Sequence, residues 1–165
     1  MIKKNVLEAL NKQIQHEQQN AHSYLAIALY FEALNLHGLA AWLNKQVADE
    51  RGHGDKFIAH VVARGGTVQL GALAAPKAEF ASPLEAIQAV RALEQATTAL
   101  IHKLADLAQK ESDHALAVTM HWFITEQVEE EEWATELTAQ MEQFYKSAGQ
   151  LYMLDHHWGK RAKGN

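Results

Sequence analysis

The sequence predicts an all-α protein, a four-helix bundle with one long crossover and a short C-terminal fifth helix. Three observations predict it. Four long segments carry apolar residues at helical spacing, and each of these stripes contains one carboxylate. The stripe positions repeat: Glu17 and Glu50 are 33 residues apart, Glu94 and Gln127 are 33 apart, and Glu17 and Glu94 are 77 apart. A connection of about 18 residues joins the halves, whereas a turn between antiparallel helices needs only about 2–8.

The elements follow in order. The first helix spans about residues 4 to 33, with the stripe Leu10, Ile14, Glu17, Ala21, Tyr24, Ala28 and Phe31. Asn35-Leu36-His37-Gly38 reads as a turn. The second helix spans about 38 to 64, with Leu43, Val47, Glu50, Gly54, Phe57 and Val61, and Gly65-Gly66 stops it. Thr67 to Ala81 has no clear period. Ser82-Pro83-Leu84-Glu85 then combines an N-cap serine, a proline at the first helical position and a glutamate in the first turn. The third helix runs to about 111, with Ile87, Val90, Glu94, Ile101, Leu104 and Ala108. Ser112-Asp113 starts the fourth, which runs to about 145 through Leu116, Met120, Phe123, Gln127, Glu130, Ala134, Leu137 and Met141. A short fifth helix follows Ser147-Ala148-Gly149 to about Trp158.

The crossover fixes the topology. About 18 residues stretch roughly 60 Å at about 3.3 Å each, while a helix of about 27 residues is about 40 Å long. The third helix is therefore expected parallel to the second, with the two hairpins packed as an inverted pair. Residues 1–145 form the bundle. Residues 146–165 are the short helix and basic tail of the same domain.

Composition narrows the function classes. The chain has 165 residues, 48% of them apolar, and a formal net charge of −5. That size suits one domain, and the charge argues against nucleic acid as a partner. Lys160, Arg161 and Lys163 read as a solvated tail. With no cysteine, thiolate metal sites and disulfides are excluded. No stretch approaches 18 apolar residues, so no membrane span is read, and the start lacks the apolar core of a secretory signal. The expected location is cytoplasmic.

The carboxylates carry the chemistry. A core does not accept lone charges, because each unpaired buried ion costs several kcal/mol or more. In an antiparallel hairpin, residues equidistant from the turn lie level, so Glu17, Glu50, Glu94 and the Gln127/Glu130 turn are expected to meet in one layer. Glu50 and His53 form a Glu-x-x-His step, which shares a helix face. One such step is weak evidence. Joined to carboxylates from three other helices, it points to a metal site with hard oxygen ligands and one imidazole.

Glu17, Tyr24, Glu50, His53, Glu94, Gln127 and Glu130, with the run Phe123-Ile124-Thr125-Glu126-Gln127-Val128-Glu129-Glu130, resemble the bacterial non-haem ferritin family over essentially the whole chain. The resemblance implies a 24-subunit cage that oxidises Fe(II) with dioxygen or peroxide and stores Fe(III) mineral. It implies one iron held by Glu17, Glu50 and His53, and a second held by Glu50, Glu94 and Glu130. Gln127 is then close enough to hold a water. Tyr24 bonds a ligand carboxylate and supplies an electron. It further implies a third iron near Asp49, Glu126, Glu129 and Glu130. The family usually shows Glu where this chain has Asp49, so the shorter side chain is expected to weaken that position. No haem is expected, since the haem-binding relatives carry a Met where this chain has Gly52 and a second Glu-x-x-His where it has Gln127 and Glu130.

Plainer readings stand beside these. Of Glu129 to Glu132, only Glu130 continues the apolar stripe, so Glu131 and Glu132 read as surface. Trp122 and Trp133 read as packing. His16, His22, His60, His102 and His121 read as surface or packing residues. The alternative function is a non-storing di-metal oxidase or peroxidase on the same bundle.

Overall fold

The computed structural model describes residues 2–164. Five helices occupy them: α1 (Lys4–Ala33), α2 (His37–Ala63), α3 (Pro83–Lys110), α4 (His114–Phe144) and α5 (Ala148–Ala162). No strand occurs among the described residues. None of the helices is long and apolar enough to cross a membrane.

The two hairpin turns are built alike. Asn35 (φ 59°) and Ser112 (φ 53°) both take the left-handed conformation. They stand 77 residues apart, the offset that relates Glu17 to Glu94. In each turn the next residue's N–H reaches back to the last turn of the helix: Leu36 to the Phe31 carbonyl at 3.0 Å, and Asp113 to the Ala108 carbonyl at 2.8 Å. This is the bond pattern of a Schellman ending. The Ser82 hydroxyl caps α3 by accepting from the Glu85 N–H at 3.2 Å. The Asp113 carboxylate caps α4 by accepting from the Leu116 N–H at 3.1 Å.

Helix directions follow from contacts along α1. Its start bonds the end of α3, Lys3 Nζ to Glu111 Oε2 at 3.0 Å. Further along, His16 meets Thr97 and Tyr24 meets Glu94. α1 and α3 are therefore antiparallel, which leaves α2 and α3 parallel, as the crossover length requires. The crossover lies along α1, held by Asn11, Gln15 and Gln19 at successive four-residue steps. Their amides donate to the carbonyls of Thr67 (3.2 Å), Ala72 (2.8 Å) and Ala74 (3.1 Å).

Two apolar cores fill the bundle. One, around Leu10, Ile14, Phe57, Val61, Ile101, Leu104, Leu116 and Phe123, occupies the end near the start of α1. The other, around Phe31, Leu39, Leu43, Ile87, Trp133, Leu137 and Trp158, occupies the opposite end. Each stripe residue expected from helical spacing is buried.

The fifth helix departs from expectation. It continues to Ala162 rather than ending near Trp158. Arg161 is not a solvated tail residue: its guanidinium lies 4.6 Å from the Trp158 ring centroid and 2.6 Å from Glu136 Oε2. A cation is also favoured in the last turn by the helix dipole. α5 packs on the start of α2 with almost no side chains between. A Cβ on Gly38 would lie 1.9 Å from the Asp155 carbonyl oxygen, and one on Gly159 would lie 2.8 Å from Gly38 Cα. The Asp155 carboxylate accepts from the Leu39 N–H at 2.8 Å, capping α2 from another helix.

Candidate metal centre

Between the two apolar cores lies a layer of buried polar side chains. Glu17, Glu50, His53, Glu94, Gln127 and Glu130 are all at most 7% exposed. The hairpins bring Glu17 level with Glu50 and Glu94 level with Gln127. One ligand atom each from Glu17, Glu50 and His53 lie within 4.8 Å of one another, and the same holds for His53, Glu126 and Glu130.

Each group has a defined setting. The Gln13 amide donates to Glu17 Oε1 at 2.6 Å. Glu17 Oε2 and Glu50 Oε2 are buried without any hydrogen-bond partner. His53 Nδ1 lies 3.7 Å from Glu50 Oε2, and its Nε2 lies 3.8 Å from Glu126 Oε1. Glu94 accepts from the Tyr24 hydroxyl and, at 3.3 Å, from the Gln127 amide. Glu130 Oε2 accepts from the Trp133 indole N–H at 2.5 Å.

The electrostatics follow from burial. Desolvation, then repulsion by Glu50, pushes the Glu17 carboxyl well above its usual range. Desolvation, then the charge of Glu94, does the same to Glu50. Glu94 is raised by desolvation, against the bonds from Tyr24 and Gln127 that favour its charged form. Glu130 is pushed up to about 7 by desolvation and by Glu94. The Tyr24 hydroxyl is held well above 10, first by burial and then by Glu94. Four buried carboxyls raised together mark a layer that favours a bound proton or cation. Partnerless carboxylate oxygens beside an imidazole suit a cation that brings positive charge into the layer.

The third group of residues is more open. Asp49 and Glu126 are half-buried and Glu129 is exposed. They line a cleft of about 390 Å³ with Trp42, Lys45, Gln46, Glu130, Glu132, Trp133 and Arg161. Asp49 Oδ2 is taken by Lys45 Nζ at 2.7 Å, and Asp49 joins neither ligand grouping.

Several residues here escaped the sequence reading. Trp133 packs in the core as read but also donates to Glu130, while Glu132 is exposed as read and lines the cleft. His16 is half-buried and bonds Thr97 at 2.9 Å, while Asn20 donates to Thr97 at 2.8 Å. Asn20 and Thr97 are themselves 77 residues apart, so the repeat held the signal for that pair. Gln13 sits one turn before Glu17 on the same face. Nothing in the spacing marked Trp133.

A model of the ferritin-like domain family matches residues 7–144. The chain belongs to the ferritin family. This ferritin is similar to the bacterial non-heme ferritin of Staphylococcus aureus (strain USA300), at 34% identity over 161 residues, 98% of this chain and 97% of the relative. It is similar to the bacterial non-heme ferritin of Staphylococcus haemolyticus (strain JCSC1435), at 40% identity over 131 residues, 79% of each chain. Among solved structures, it resembles an open pore ferritin from the hyperthermophilic archaeon Archaeoglobus fulgidus. The TM-score is 0.93 at 35% identity, covering 96% of both chains.

Proposed function

We propose that this chain is an iron-storage ferroxidase of the non-haem type. Fe(II) is the substrate, dioxygen or peroxide the oxidant, and Fe(III) mineral the stored product, held in a 24-subunit cage in the cytoplasm. The observation that carries the reading is the buried pair of partnerless oxygens on Glu17 and Glu50 beside His53. Glu17, Glu50 and His53 hold one iron. Glu50 bridges to the second, which Glu94 and Glu130 also hold, and Gln127 positions a water. Four carboxylates offer a formal charge of −4, which two Fe(II) ions balance. Binding of the metal displaces the protons that burial favours in its absence. Oxidation then raises the metal charge within an anionic shell, which favours Fe(III). Tyr24, bonded to Glu94, supplies an electron at the site. Asp49, Glu126, Glu129 and Glu130 form a third and weaker iron position.

The test joins kinetics to particle size. Aerobic Fe(II) should be oxidised in a first burst of about two irons per subunit, within a shell of roughly 24 times the 18.4 kDa chain. Glu50→Ala should remove the burst, because that carboxylate serves both irons. A wild-type burst in Glu50→Ala would refute the assignment. Sedimentation of the native protein only as monomers or dimers would refute storage.

A further inference from the structure

We propose that Lys45 is a tethered competitor for the third cation: its ammonium holds Asp49 until a metal displaces it. The inference rests on the reading of Asp49, Glu126, Glu129 and Glu130 as a third iron position. Lys45 and Asp49 are one helical turn apart on α2, and Nζ lies 2.7 Å from Oδ2. The same ammonium lies 5.3 Å from the centroid of the Trp42 ring.

That ring is a fixed seat. Trp42 is 5% exposed and stands edge-on to Trp133 at 5.4 Å and to Trp158 at 5.0 Å. Lys45 therefore has two anchors, a carboxylate and an aromatic face, and both attract a cation. Ligand atoms group as Glu17, Glu50 and His53, and as His53, Glu126 and Glu130, while Asp49 and Glu129 stand outside both groupings and Asp49 alone is held by Lys45.

The consequence is a weakened third position. A metal resting on Glu126 and Glu130 gains Asp49 only by taking its oxygen from the ammonium. The cost of parting that ion pair is the same whichever metal arrives, so it is subtracted from the affinity of Fe(II) and of Fe(III) alike.

Calorimetric titration of Zn(II) into the metal-free assembled protein tests the competition. The proteins compared are wild type, Lys45→Met, Asp49→Asn, the double variant, and Lys12→Met. Methionine keeps an apolar stem on Trp42. Lys12→Met removes an exposed positive charge from α1, away from the cleft. In Lys45→Met the weakest zinc step should tighten about two- to fivefold, the range for an exposed ion pair, with two tight steps unchanged. The gain should vanish when Asp49→Asn is already present. An unchanged weakest step in Lys45→Met, or an equal gain in Lys12→Met, would overturn the proposal while leaving the paired site standing. Absence of two tight steps from wild type would remove the paired-site reading, and this inference with it.

Discussion

Replacing Glu130 by Gln should make the metal-free protein less sensitive to alkaline pH. Glu130 titrates near 7 in the fold, against 4.5 for an ordinary glutamate, because it is buried and faces Glu94. A carboxyl raised in this way favours the folded state while protonated. That contribution is complete below about pH 4.5 and is lost as pH rises through 7. A shift of about 2.5 units at about 1.36 kcal/mol per unit gives roughly 3 kcal/mol in all, of which about 2.5 falls between pH 5 and pH 8. For a chain of this size about 1 kcal/mol moves the melting temperature by about 2–4 °C. Calorimetry of the metal-free proteins at pH 5 and pH 8 should therefore show wild type losing about 5–10 °C more than Glu130→Gln. Stoichiometric Zn(II) should narrow the difference, since the cation replaces the proton. Equal losses in the two proteins would show that Glu130 is already ionised at pH 5, and the reasoning from burial would fail.

Two further outcomes are expected. Trp133→Phe removes the N–H that favours charged Glu130, so binding of the second Zn(II) should weaken by about 10-fold or more, as for other partners of metal ligands; unchanged affinity would leave Trp133 as packing alone. Gly38→Ala forces a methyl into the Asp155 carbonyl, and overpacking of this kind costs about 1–3 kcal/mol. Its melting temperature should fall, with faster amide exchange confined to α5 and the start of α2; an unchanged melting profile would show that the backbone contact is not tight.

The fold and the buried layer were legible because both rest on periodicity. Glu17, Glu50, Glu94 and Gln127 sit on apolar stripes, and a stripe states which way a residue faces. The 77-residue offset extends to Asn35 and Ser112 in the turns and to Asn20 and Thr97 in the layer. What stayed hidden depends on which neighbour a side chain turns toward. Trp133 offers one N–H, and only the packed bundle aims it at Glu130. Asp49 was legible as a shortened carboxylate, but its pairing with Lys45 is a choice among nearby charges. Arg161 read as tail because sequence shows its charge and not the two indoles, Trp42 and Trp158, beneath it.

The fastening of the crossover makes the molecule divisible. The strap is largely exposed between Gln69 and Leu73 and is held by side-chain amides of α1 rather than by a core of its own. A backbone cut there yields two helical pieces, each with half of the buried layer: Glu17, Glu50 and His53 in one, Glu94, Gln127 and Glu130 in the other. The pieces also clasp at opposite ends. Lys3 and Asn5 of the first hold Glu111 of the second, and Asp155 of the second holds Leu39 of the first. Neither piece completes the layer alone, so under the proposed ferroxidase function iron oxidation in a mixture of the two becomes a signal that they have found each other.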